Sequence, residues 1–279
     1  MRSRRSSRLC MTAETLGALD LSALSLAALI VAAFVAGWVD AVVGGGGLIQ
    51  IPALLIGLPS NTPPAVILGT NKVSSFCGTA ISSLTYALRI KLDWWTVAPL
   101  VIASAAGSAI GASLAKLLPK DAFTPIVLAA LIGVGIYIWR RPQLGMVSMR
   151  KHPGRRHYGW TVLIGLVVGA YDGFLGPGTG SFFVILLVAV LGYGFLDASA
   201  TAKIANLVTN LAAIVVFGLS GSVLWALGLL MGAANLIGGY LGARTAISRG
   251  NAFVRKVFLI VLSALIIKLS YDVVVQLTK

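Results

Sequence analysis

Charge is scarce in this sequence. Of 279 residues only 11% are charged and 8 are acidic, against about 25% charged in an ordinary soluble domain. With 58% hydrophobic residues and a mean hydropathy of +0.94, such a chain could not hydrate its surface as a soluble monomer. Histidine is nearly missing. Its two copies, His152 and His157, fall in one hydrophilic stretch, which excludes buried Ser-His catalysis and ordinary zinc ligation. Cys10 lies in the N-terminal tail and Cys77 inside an apolar run, so no disulfide framework is expected. Gly69-Thr70-Asn71-Lys72 lacks the Gly-Lys-Ser/Thr of a phosphate loop. Nothing in the chain calls for a cofactor or a metal. The short alternating strands of a membrane β-barrel are absent too.

What the chain has in quantity is long apolar runs of about 18 to 25 residues, each able to cross a hydrocarbon core. The expected fold is an all-α polytopic membrane protein whose first partner is the bilayer. The net charge of +14 sits mainly at segment ends, at Arg2 to Arg8, Arg140 and Arg141, Arg150 to Arg156, and Arg244 to Lys256. That placement sets topology beside anionic lipid and argues against a nucleic-acid partner. The N-terminus resembles a signal peptide. Its apolar run, however, ends in a motif that recurs later, so it is expected to stay as a first span.

That motif is Gly37-Trp38-Val39-Asp40 followed by Gly44-Gly45-Gly46-Gly47, then Leu48-Ile49-Gln50-Ile51-Pro52. Shifted by 132 positions, Gly37, Asp40, Gly44 and Gly46 fall on Gly169, Asp172, Gly176 and Gly178. At 131, Thr70 and Lys72 fall on Thr201 and Lys203, and Gly107 and Gly111 fall on Gly238 and Gly242. One spacing held across several segments indicates internal duplication. The expected order is a basic tail (1–20), a first membrane repeat (21–140), a basic connecting loop (141–157) and a second repeat (158–279). Each repeat is expected to hold a long helix, a short broken or re-entrant helix after the glycines, and three further helices. That makes about 8 spans, or up to 10 if the short helices cross. In the first repeat the five run over about Leu21–Val43, Leu48–Leu58, Ala65–Leu88, from Trp94 to Leu118, and Ala122–Trp139. If the short helices are re-entrant, each repeat has four spans and the copies are parallel. If the short helices cross fully, or if long and short helix form a half-way hairpin, the copies are inverted and the basic tail lies outside. Positive-inside counting leans slightly to the parallel form.

Of the acids, only Asp40 and Asp172 lie well inside spans, and Lys72 and Lys203 do so at matched places. A charge at the bilayer centre costs ~2.5–3.5 kcal/mol on insertion scales, so each needs a reason. Lys72, Ser75 and Thr79 share one helix face by their i, i+3, i+7 spacing, as do Lys203, Asn206 and Asn210. A stripe of ammonium, hydroxyl and amide groups suits anion coordination; interhelical hydrogen bonding is the plainer reading. The short helices start after glycine runs, where free N–H groups and the helix dipole favour an anion. The candidate substrate site is therefore Gly45, Gly46, Gly47, Asn71, Lys72, Ser75, Thr79, Gly178, Thr179, Gly180, Lys203, Asn206 and Asn210. Asp40 and Asp172 serve as ion-pair or coupling residues. Gly107/Gly111 and Gly238/Gly242 are expected to pack helices.

The stretches Gly44–Pro52, Leu68-Gly69-Thr70-Asn71-Lys72, Tyr171–Gly180, Ala200–Asn206 and Leu241-Gly242-Ala243-Arg244 resemble the TauE/SafE sulfite and sulfonate exporters of the toluene-sulfonate permease superfamily, nearest their YfcA-like branch. The resemblance runs over about residues 25–275. It implies a permease of the bacterial inner membrane that moves small sulfur-containing anions, and a homodimer is compatible with it. The second copy departs from the pattern, since 183–187 supplies no proline. Two other readings stand beside this one. A proton- or sodium-coupled anion permease would use the two acids for the cation. An intramembrane aspartyl protease would use them as a dyad, though no Gly-X-Gly-Asp motif is present and nearby lysines would oppose keeping one acid protonated.

Overall fold

A computed structural model describes residues 21–59, 61–115, 146–148 and 154–277. Among them the chain is helical throughout, without a strand. The helices are α1 (Ala23–Val43), α2 (Gly47–Gly57), α3 (Pro64–Ala87), α4 (Trp94–Leu114), α5 (Arg155–Phe174), α6 (Thr179–Leu186), α7 (Phe195–Leu219) and α8 (Trp225–Leu277). A π-helical turn at Leu187–Leu191 extends α6. α8 breaks at Gly250, whose φ of 71° and ψ of −168° separate the arms 225–249 and 251–277. Expected boundaries in the described parts hold to within a few residues, and the expected helix at 122–139 lies outside them. Among the described residues four stretches are long and apolar enough to cross a membrane: α1, α4, α7 and 225–264, which spans the break in α8. α3, at 24 residues, has the length but carries the polar stripe.

The contacts fix each helix's direction. Gly107 and Gly111 of α4 lie on the backbone of Leu166 and Ala170 in α5, and Gly169 and Gly173 lie on Ser104 and Ser108. α4 and α5 therefore run the same way, close enough that a methyl group would overlap the facing carbonyls. α8 meets α1 identically, with Gly238 on Phe34 and Gly242 on Trp38. These are the small-residue seams that let membrane helices pack closely. Each joins a helix of one repeat to a helix of the other.

α3 and α7 cross in opposite senses. The Thr70 hydroxyl accepts from the Leu224 N–H at 3.0 Å near the start of α3, and Asn210 donates to Thr79 near mid-helix. α3 and the first arm of α8 are parallel, with Gly228 on Val73 and Gly232 on Cys77. α1 and α3 thus run one way and α4 the other, while α5 and α7 run opposite to their counterparts, as does α8's first arm. Among the described residues, each of α5, α7 and the first arm of α8 is reversed against its sequence equivalent, so the repeats are inverted. The slight lean of charge counting toward parallel copies is overturned. It counted Arg244–Lys256 against the other loops, whereas the reversal brings that stretch, Arg89, Lys91, Arg155 and Arg156 to one end.

α2 returns along α1, with Gly57 beside Leu29, so α1 and α2 form a re-entrant hairpin. α5 and α6 form its counterpart from the opposite end. The hairpin tips meet inside the bundle, where the Cα atoms of Gly44 and Gly180 face one another with no room for a side chain on either.

Candidate functional site

The site is built at those two tips. α1 ends at Val43, and Gly44, at φ 83°, turns the chain back. The last carbonyls of a helix lack intrahelical partners, and each one here is answered. Asp40 O accepts from Gly44 N–H at 2.8 Å, and Ala41 O from the Tyr86 hydroxyl at 2.9 Å. Val42 O accepts from Ser199 Oγ at 3.2 Å and Val43 O from Ser181 Oγ at 2.9 Å. Gly44 O takes the Ser181 N–H at 3.0 Å. The second repeat thus supplies three donors that hold open the break in the first. The second tip is secured mostly from within. Tyr171 Oη donates to Pro177 O at 2.6 Å and Thr179 Oγ1 to Gly176 O at 2.8 Å.

Two buried ion pairs bracket the tips, and they are crossed. Lys72 of the first repeat meets Asp172 of the second at 2.6 Å. Lys203 of the second meets Asp40 of the first at 2.7 Å. The Lys203 ammonium donates an aligned hydrogen bond, whereas Asp172 Oδ2 receives charge without that alignment. Asp40 also draws the Gly46 N–H, at a long 3.4 Å. Lys203 is fully buried, while the Asp40 side chain stays 13% exposed. Each charge has its counter-charge, as a low-dielectric interior demands. A protease dyad would need the acids to share a proton; here each carboxylate is held by an ammonium.

Between the tips lies a polar cavity of about 10 Å³, room for about one water molecule. Of the sequence-derived candidates, Gly47, Asn71, Lys72, Ser75, Gly178, Thr179, Gly180, Asn206 and Asn210 line it, together with Asp40 and Asp172. Four do not. Gly45 faces Val261, and Gly46 is packed on Ala36 and Asp40 within the hairpin. Thr79 donates to Ser75 O at 2.9 Å and meets Asn210. Lys203 stands behind Asp40. Gly44 and Gly176, not among the candidates, line the cavity as well; the glycine repeat itself points to them. Asn71 Oδ1 is buried there without a partner, so its amide can turn either end toward a ligand. The donor set suits an anion, and a sulfite-sized one enters only if the tips part.

His157 departs from its expected loop setting. It lies in the first turn of α5, 2% exposed, and its Nε2 is 2.8 Å from Thr96 Oγ1, which donates to Asp93 Oδ2 at 2.8 Å. This chain of contacts ties the start of α4 to the start of α5, away from the tips. The missed partners Tyr86, Ser181 and Ser199 resemble ordinary polar residues of membrane helices, and no local pattern marks them.

The sulfite exporter TauE/SafE family matches residues 29–269. A probable membrane transporter protein, ORF9, of Sinorhizobium sp is 39% identical over 86% of this chain and 90% of its own length. A probable membrane transporter protein of Haemophilus influenzae is 35% identical over 86% and 92%. The probable membrane transporter protein YfcA of Escherichia coli K12 is 35% identical over 85% and 87%. No solved structure matches the chain.

Proposed function

This chain belongs to the sulfite exporter TauE/SafE family and is a membrane permease, and from that premise we propose that it carries small sulfur-containing anions, sulfite or sulfonates, through the site between its hairpin tips. The observation that carries the reading is the crossed pair of ion pairs at a small polar cavity of hydroxyls, amides and glycine backbone. An anion entering there competes with a carboxylate for an ammonium, so it can be bound firmly and still released. Two helix starts at the tips add N–H groups and dipoles of the right sign. The setting is the inner membrane of a bacterium, crossed several times, and the protein performs no covalent chemistry on its cargo.

The test is ligand-induced stabilisation of the detergent-purified protein against sulfite, thiosulfate, an alkyl sulfonate and a carboxylate of equal size. A ligand at 100 times its Kd stabilises by ~2.7 kcal/mol, readily seen as a rise in Tm. Sulfur oxyanions should raise it and the carboxylate should not. Equal response to all four, or to none, would overturn the substrate class.

A further inference from the structure

A second and larger cavity, about 200 Å³, opens at the end of the molecule where α3 finishes and α7 begins. Ile90, Lys91, Asp93, Ser148, Asp197 and Thr201 are among its walls. Its rim is exposed at Lys91 and Ser148 and its floor is the buried Thr201. Two residues further along α7 is Lys203, and one turn beyond that Asn206 of the tip cavity. The floor of the larger cavity and the nearest α7 residue of the tip cavity are thus five residues, about 7.5 Å, apart along the helix.

The opposite end looks different, although the repeats supply equivalent parts. There the α7–α8 loop is clamped onto α3. Ser222 O sits on Gly69 with no space for a methyl group, and the Leu224 N–H is held by the Thr70 hydroxyl at 3.0 Å. Shifting those positions by 131 pairs Ser222 with Lys91, Gly69 with Ala200, Leu224 with Asp93 and Thr70 with Thr201. The equivalents of three of these four clamp residues, Lys91, Asp93 and Thr201, line the open cavity. One clamp is therefore shut and its symmetry mate stands open.

Resting on the permease reading above, we propose that the 200 Å³ cavity is the substrate's access vestibule and that the two clamps exchange during transport. In the alternate state the α3–α4 loop closes on α7, with the Asp93 N–H on the Thr201 hydroxyl. The α7–α8 loop leaves Gly69 and Thr70 and opens a matching vestibule at the far end. The hydrogen bond that closes the loop needs no new contact type, because its counterpart, the Leu224 N–H on the Thr70 hydroxyl, is already present in the chain.

Paired cysteines test this in a background carrying Cys10→Ser and Cys77→Ala. Thr70→Cys with Leu224→Cys should form a disulfide quickly in detergent without added anion. Thr201→Cys with Asp93→Cys should form it at least ~10-fold more slowly, because a minor state of about 10% or less supplies the contact. Either disulfide should stop anion flux in proteoliposomes, and a reductant should restore it. Equal cross-linking rates for the two pairs, or full flux with either pair locked, would overturn the proposal. If a pair variant does not fold, labelling the single Thr201→Cys and Thr70→Cys variants with a small cationic thiol reagent gives the same ratio. A cysteine-free parent that moves no sulfite or sulfonate would sink the substrate reading, while the cross-linking ratio would still decide the clamp exchange.

Discussion

Asn210 donates its amide hydrogen to the Thr79 hydroxyl at 3.4 Å, and the two residues are 131 positions apart, the repeat spacing itself. A residue can touch its own counterpart only on the symmetry axis. The axis therefore passes between α3 and α7, perpendicular to both, with one crossed ion pair on either side. The site is shared because the axis runs through it, and neither repeat holds a complete half of its own.

The crossing changes what a single substitution should do. Lys72→Ala leaves Asp172 buried and uncompensated, and breaking a buried pair from one side costs ~3–5 kcal/mol. That variant should express poorly. The double variant Lys72→Met with Asp172→Asn removes both charges and should recover most of the loss in Tm while failing to bind the anion. Tm and ligand-induced stabilisation of both variants check this. A double variant no more stable than the single one would mean the pair is not energetically coupled.

The glycines at the tips should separate into two kinds. A Cβ at Gly46 would come within 2.6 Å of Ala36 O and of Asp40 Cβ, so Gly46→Ala should open the hairpin and lower Tm. A Cβ at Gly47 would make ordinary 3.4 Å contacts with Gly176 O and Pro177, and Gly47 lines the cavity. Gly47→Ala should therefore fold normally and weaken anion binding by ~10-fold or more, a loss of about 1.4 kcal/mol. Unchanged affinity in a stable Gly47→Ala protein would take this backbone out of the binding site.

Orientation should follow the charges. Arg89, Lys91, Arg155, Arg156 and Arg249 all lie at the vestibule end, while among the described residues the 57–64 and 219–224 loops at the other end carry no Lys or Arg. Counted over the described residues, the positive-inside rule places the vestibule in the cytoplasm. In the cysteine-free background, Lys91→Cys should react with a membrane-impermeant thiol reagent in inside-out vesicles and be protected in right-side-out ones. The reverse pattern would turn the protein over.

Much of the fold and of the site is legible in the sequence, for physical reasons. Four adjacent glycines end a helix whatever surrounds them, and a buried charge must find a partner, so the tips and Asp40, Lys72, Asp172 and Lys203 stand out. Which lysine meets which acid is not legible. Matched positions fit pairing within a repeat as well as between repeats, and only the reversal of α3 against α7 makes the pairs cross. Gly46 is misplaced for a related reason. A glycine that lets a ligand approach and one that lets a helix approach look alike in sequence.

Membrane potential alone should drive transport. Moving one charge across the membrane is worth ~2.3 kcal/mol per 100 mV, so a monovalent anion leaves a negative-inside cell downhill without help from an ion gradient. Import would need a co-transported cation, and Asp40 and Asp172 are the buried acids placed to take one. Each already holds an ammonium, at 2.7 and 2.6 Å. For a proton or sodium ion to bind there, a lysine would have to move off without an anion to receive it, leaving a charge unpaired in a low-dielectric interior. An arriving anion instead shares the ammonium with the carboxylate, so the lysine keeps a counter-charge throughout. Flux in proteoliposomes should therefore follow membrane potential and persist when proton and sodium gradients are collapsed at constant potential. Flux that stops with the proton gradient would make Asp40 and Asp172 coupling residues, and the crossed pairs would then open during each cycle to take up a proton.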